Sequence, residues 1–127
     1  PQAIRKVWGV AKIYETYVGA KSFQPDGDVF HALQMIGEEF GATTGRKRQC
    51  NWMDLDNLVK AIRINGVTDL VFNKMDVLRE IGEWKIYNNK KLLEFKDEQE
   101  VKSWITSRIS LASPVSNVYF SGNKDRI

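Results

Sequence analysis

Apolar and polar positions change period several times along the 127-residue chain, and each change predicts an element. Residues 4–15 are rich in Val, Ile, Trp and Tyr and partly alternate, which predicts a strand. Gly, Pro, Asp and Gly within "VGAKSFQPDGD" (18–28) predict a loop. In "VFHALQMIGEEFG" (29–41), Val29, Leu33, Ile36 and Phe40 recur at helical spacing, with Asp28 placed to cap the helix. A loop is expected over 41–50. In "MDLDNLVKAIRIN", Leu55, Leu58, Val59 and Ile62 share one helical face, Asp54 is the expected N-cap, and Asn65-Gly66 is the stop.

"TDLVFNK" (68–74) is a short apolar run with the character of a buried parallel strand, and a short helical segment follows it. "EWKIYNNKKLLEF" predicts a hairpin around Asn88-Asn89, with Trp84, Ile86 and Leu92 as packing positions. Residues 96–109 form an amphipathic pattern with Asp97 near the start and Val101, Trp104, Ile105 and Ile109 inward. "SPVSNVYFSG" closes the pattern as a strand. Strands alternating with helices predict an α/β fold, a mostly parallel sheet with flanking helices. Ligands of such sheets bind at the carboxyl ends of the strands. Those ends are "NKMD" after residues 68–72 and "SGNKD" after 116–120.

Composition narrows the function only a little. The chain is 43% hydrophobic and 28% charged, and 19 Lys+Arg against 16 Asp+Glu leaves 19 − 16 = +3. So mild a charge does not argue for a nucleic-acid or membrane partner. No apolar run approaches the ~18–20 residues that span a bilayer. One cysteine, Cys50, and one histidine, His31, exclude a disulfide framework and a Cys/His metal cluster. A reducing, cytoplasmic setting is expected. The chain starts at Pro1, close to a strand, which suggests a piece of something longer.

Two stretches carry chemistry. Asn73-Lys74-Met75-Asp76 has the form Asn-Lys-x-Asp after a buried strand. Guanine presents N1–H and a 2-amino group on one edge, and a carboxylate accepts both; adenine lacks that donor pair. A lysine stem can cover the flat face of the base. A strand-to-helix loop with a capping aspartate fits the same four residues. "GATTGRKRQC" (41–50) offers threonine hydroxyls, backbone N–H groups freed by two glycines, and guanidinium forks suited to planar carboxylates or phosphates. A solvated basic turn and a nucleic-acid patch fit the same residues, though interleaved aromatics are missing. No Gly-x-x-x-x-Gly-Lys-Ser/Thr loop is present to cradle a triphosphate.

The order of these pieces resembles the adenylosuccinate synthetase family. Residues 41–78, "GATTGRKRQCNWMDLDNLVKAIRINGVTDLVFNKMDVL", are similar to its Gly-Ala-Thr-Thr-Gly-Arg loop, Trp-x-Asp helix, Arg-x-Asn-Gly turn and Thr/Asn-Lys-x-Asp segment. "VAKIYETYVGAKSF" is similar to "VKAYTTRVGAGPF", and "FSGNKDR" to the closing Ser/Thr-Gly-Pro-x-Arg segment. The resemblance implies a C-terminal portion, residues 1–127, of a larger P-loop-like nucleotide-binding ligase fold whose phosphate-loop part is absent here. It implies a reaction in which IMP, L-aspartate and GTP give adenylosuccinate, GDP and phosphate with Mg²⁺, in a cytoplasmic homodimer.

On this resemblance Thr43, Thr44, Gly45, Arg46 and Arg48 bind the carboxylates of aspartate, with Arg46 also near the nucleotide. Val18 and Gly19 match the segment lining the nucleotide pocket. Lys74 and Asp76 hold the guanine of GTP, helped by Ser121 and Gly122. Catalytic residues and Mg²⁺ ligands fall in the part not represented, so the isolated chain is expected to be inert. Departures lie near the nucleotide: Tyr17 replaces the arginine before Val-Gly, Lys21-Ser22-Phe23 replaces Gly-Pro-Phe, and Asn123-Lys124 replaces the closing proline. They admit a phage-type ligase joining aspartate to dGMP, which would prefer an adenine triphosphate. A stand-alone guanine-nucleotide module is a further alternative.

Overall fold

The computed structural model describes residues 6–17, 22–39 and 48–121. The expected α/β fold is present, with its strands divided between two sheets rather than gathered in one. The first sheet is parallel, in the order β1 (Trp8–Lys12), β4 (Asp69–Asn73), β7 (Asn117–Phe120). The second is mixed: β2 (Tyr14–Tyr17), β3 (Gln49–Asp54), β5 (Trp84–Asn88), β6 (Lys91–Phe95). In it β3 and β5 run parallel, while β2 on β3 and β5 on β6 are antiparallel. The helices are α1 (Asp28–Ile36), α2 (Leu55–Asn65), α3 (Met75–Ile81) and α4 (Glu98–Ala112).

The single strand expected over 4–15 is therefore two, parted by the buried Ile13, and each joins a different sheet. Part of the expected loop 41–50 also belongs to a strand, since β3 starts at Gln49. Its pairing with β2 places Tyr17 opposite Gln49 and Tyr14 opposite Trp52, partners far apart in sequence that no local pattern reveals.

Local signals hold where a side chain acts on its own turn. The Asp54 carboxylate accepts from the N–H groups of Asp56 and Asn57, and Gly66 closes α2 in the left-handed conformation (φ 65°). Asp97 caps α4 by accepting from Glu100 N at 2.9 Å, and Glu100 accepts in turn from Lys96 N at 3.0 Å. Asp28 does not cap α1; Gly27 holds that position without a side-chain bond, and Asp28 lies in the first turn. The hairpin turns at Asn89-Lys90, both at positive φ, as a tight turn between right-twisted strands requires. Leu92, expected to pack, is 45% exposed because β6 ends the sheet.

One core joins the layers. Phe72 on β4, Leu55 and Ile62 on α2, and Val101, Ile105 and Ile109 on α4 are all buried in it. Arg63 of α2 donates to the Ala112 carbonyl, placing a cation at the C-terminus of α4 where no basic residue of that helix lies. Arg79 of α3 forks onto Glu98, with both bonds at 2.7 Å, and Lys102 reaches the same carboxylate at 2.9 Å.

Two expectations follow. Asp54→Ala should cost about 1 kcal/mol in urea unfolding through the lost cap. The hydrogen bonds of Arg79 outweigh the desolvation of Glu98 and, with Lys102, lower its carboxyl to about 2. Its contribution to stability is thus present above the ordinary value of 4.5 and lost as pH falls toward 2. Melting temperature against pH should show a shallower acid limb in Glu98→Gln.

Candidate functional site

The strands β1, β4 and β7 run parallel, so their carboxyl ends open on one side of the sheet. Ile13 N donates to the Asn73 carbonyl at 3.2 Å and Ser121 N to the Phe72 carbonyl at 2.8 Å, which sets the three ends side by side. Between β4 and α3 the backbone turns through Lys74 in the left-handed conformation, φ 66°. For a residue with a side chain this costs on the order of 1–3 kcal/mol, held by the surrounding structure. The Lys74 ammonium donates to the Gly37 carbonyl at 3.3 Å. Two buried oxygens at this mouth, Asn73 Oδ1 and Asp76 Oδ1, have no hydrogen-bond partner among the described residues. A buried acceptor left unpaired costs about 1–3 kcal/mol.

Beside it lies a carboxylate at the centre of a network. Glu39 follows α1, is 1% exposed, and holds three side chains. Tyr14 donates its hydroxyl to Oε2, while Lys12 Nζ (2.9 Å) and Arg48 Nη1 (3.0 Å) both reach Oε1. The Arg48 backbone N–H donates to the Glu39 carbonyl at 2.9 Å, and Gln34 Nε2 donates to the Arg48 carbonyl at 2.7 Å. Burial by itself would raise the Glu39 carboxyl; the bonds from Tyr14, Lys12 and Arg48 overcome it and hold the group below its ordinary value. The Tyr14 hydroxyl is pushed far above its ordinary range, first by burial, then by the bond to Glu39 and that carboxylate's charge. Asp76 adds a smaller upward push on the same hydroxyl. A Cβ on Gly37 would stand 2.3 Å from the Tyr14 hydroxyl oxygen and 2.8 Å from the Leu33 carbonyl oxygen. The bare glycine lets Tyr14 reach Glu39, while its carbonyl receives Lys74.

Four of the residues singled out in the sequence are thereby placed. Lys74, Asp76 and Ser121 lie at the strand ends, and Arg48 joins them through the segment Gly37 to Glu39. Val18, Gly19, Thr43, Thr44, Gly45, Arg46 and Gly122 lie outside the described residues. Sequence reasoning missed Lys12, Tyr14 and Glu39. Their signal was faint: Lys12 and Tyr14 lie at the end of the first apolar run, and Glu39 just precedes the glycine-threonine loop. His31 is exposed on α1, and burial pushes the Cys50 thiol up to about 12, which leaves it unreactive. Among the described residues, no helix is long and apolar enough to cross a membrane.

An α/β layer whose parallel strands end at an acceptor-lined mouth is an architecture of nucleotide-binding proteins. Comparison makes the assignment specific. The family described as adenylosuccinate synthetase matches residues 1–121, and the chain belongs to that family. The adenylosuccinate synthetase of Meyerozyma guilliermondii is 44% identical over 108 residues, 80% of this chain and 25% of the relative. That of Yarrowia lipolytica is 43% identical over the same shares. The structure of fully ligated adenylosuccinate synthetase from Plasmodium falciparum superposes with a TM-score of 0.59 at 32% identity, over 75% of this chain and 24% of that one. The chain thus spans about a quarter of the length of the relatives it matches.

Gly37→Ala should destabilise the fold by about 1–3 kcal/mol through overpacking. Tyr14→Phe in the same chain should recover part of that loss, because it removes the nearest atom the new methyl meets. Chemical denaturation of the two single variants and the double variant reads this coupling.

Proposed function

We propose that this chain is the C-terminal portion of a GTP-dependent ligase that joins L-aspartate to IMP, and that it supplies the guanine-recognition and aspartate-binding residues. The observation that carries the reading is the pair of unpartnered buried oxygens, Asn73 Oδ1 and Asp76 Oδ1, at the carboxyl end of β4. A guanine edge brings the N–H donors that such acceptors lack. Lys74, pinned on the Gly37 carbonyl, lends its stem to the face of the base, and Ser121 borders the same mouth. On the family resemblance Gly122 joins Ser121 in holding the guanine.

Aspartate falls to residues 43–46 and Arg48. Its two carboxylates suit the guanidiniums of Arg46 and Arg48 with the hydroxyls of Thr43 and Thr44 and the backbone at Gly45, while Val18 and Gly19 line the nucleotide side. In the reaction the purine 6-oxygen of IMP takes the γ-phosphoryl group of GTP. The amino group of aspartate then displaces phosphate, leaving adenylosuccinate, GDP and phosphate. The chain's part in this is to bind and orient two of the three substrates. The described residues include no cluster of three metal-capable side chains for the Mg²⁺ that the family implies, and no step is assigned to it. The whole enzyme is expected to act as a cytoplasmic homodimer. The isolated chain should form no adenylosuccinate.

A second reading, a ligase joining aspartate to dGMP, is favoured by one feature. Tyr17 stands in place of the family's arginine and packs its ring against Phe23, with centroids 5.4 Å apart, which alters the lining beside the nucleotide segment. Competition of dGMP against IMP separates the two.

The test of the main reading is Asp76→Asn in the full-length protein. The KM for GTP should rise about tenfold or more, as expected for a lost charged hydrogen-bond pair, and preference over ATP should erode. The KM for aspartate should stay within about twofold. Unchanged selectivity between GTP and ATP would remove guanine recognition from Asp76.

A further inference from the structure

We propose that Glu39 is a positioning residue: it fixes the Arg48 guanidinium, and through Gly37 it ties Arg48 to the strand end that carries Lys74 and Asp76. This rests on the reading of Arg48 as a ligand of the amino diacid and gives that site its support. The argument starts from an asymmetry. A surface ion pair would leave both partners free to move, but here the carboxylate is 1% exposed while the Arg48 and Lys12 side chains keep 32% and 29% of their exposure. The buried partner is thus the fixed point, and the cations are held at its edge with part of their surface still open.

Arg48 is also held twice more, by its own N–H on the Glu39 carbonyl and by Gln34 on its carbonyl. One guanidinium nitrogen, Nη1, is committed to Glu39 Oε1, which aims the rest of the fork. Tyr14 occupies the other carboxylate oxygen, so Glu39 cannot swing to form a bidentate clasp that would draw the whole fork inward. Gly37, two residues earlier, takes the Lys74 ammonium on its carbonyl and has no room for a side chain beside Tyr14. A shift of Glu39 therefore moves Arg48 and the Lys74 anchor together. Displacement of a binding group by about 1 Å is enough to cost up to a hundredfold in rate.

The test uses the full-length protein with IMP, aspartate and GTP, comparing Glu39→Gln and Tyr14→Phe with wild type. Glu39→Gln keeps the shape of the side chain and removes its charge. Its KM for aspartate should rise about tenfold and its KM for GTP by a smaller factor, since Arg48 bonds Glu39 directly while Lys74 is reached only through the Gly37 carbonyl; Tyr14→Phe should move the aspartate KM the same way by a smaller factor. A merely structural role would lower the melting temperature and the activity per milligram while leaving the aspartate KM in place. Should Glu39→Gln fail to fold, Tyr14→Phe decides by the same readout. An aspartate KM within twofold of wild type in the folded variants overturns the proposal and leaves the ligase reading standing. Inactivity of the wild-type protein with IMP, aspartate and GTP, and with dGMP in place of IMP, overturns the ligase reading and this proposal with it.

Discussion

The site depends on a negative charge kept almost entirely out of water. Moving a carboxylate from water into a protein interior costs several kcal/mol, and that cost is met only if the charged form is fully hydrogen-bonded. Glu39 meets the condition with one hydroxyl and two cations drawn from three different parts of the chain: β1 supplies Lys12, β2 supplies Tyr14, and the residue before β3 supplies Arg48. The carboxyl stays below its ordinary value despite burial, so pairing outweighs desolvation. Satisfying that one group requires the ends of two sheets and the exit of α1 to meet, and the meeting point is the candidate site.

The parallel sheet contributes the other half of the geometry. Because β1, β4 and β7 all run the same way, three chain exits crowd one edge, and the backbone of each is bonded to its neighbour up to that edge. The turn at Lys74 leaves the sheet in a conformation that few side-chain-bearing residues adopt, which aims α3 back over the layer and brings Asp76 to the mouth. Strain at Lys74 and unpaired acceptors at Asn73 and Asp76 lie within four residues of one another. Such local costs persist only where the surrounding structure holds them.

Much of the architecture was legible in the residues. The helix at 55–65, its aspartate cap and its glycine stop were readable because a cap acts within its own turn. The buried strand at 69–73 was readable because a strand covered on both faces is apolar throughout. The division of residues 8–17 between two sheets was not legible, nor was the strand beginning at Gln49, since in each case pairing partners distant in sequence decide the outcome. The same distinction separates the site residues. Lys74 and Asp76 stand in a motif whose spacing carries chemistry, whereas Lys12, Tyr14 and Glu39 belong to no motif and acquire a role only by meeting.

The sequence alone, then, determined most of the helices and strands, the caps at Asp54 and Asp97, and the likeness to one ligase family. Those are properties of neighbours along the chain, and neighbours carry them wherever the chain goes. Only the tertiary structure decided that Glu39 is buried, that Tyr14, Lys12 and Arg48 converge on it, and that Lys74 reaches the same segment at Gly37. Burial and convergence depend on contacts spanning 9 to 37 residues. The free energy of a charge is set by what surrounds it in space, not by what adjoins it in the chain.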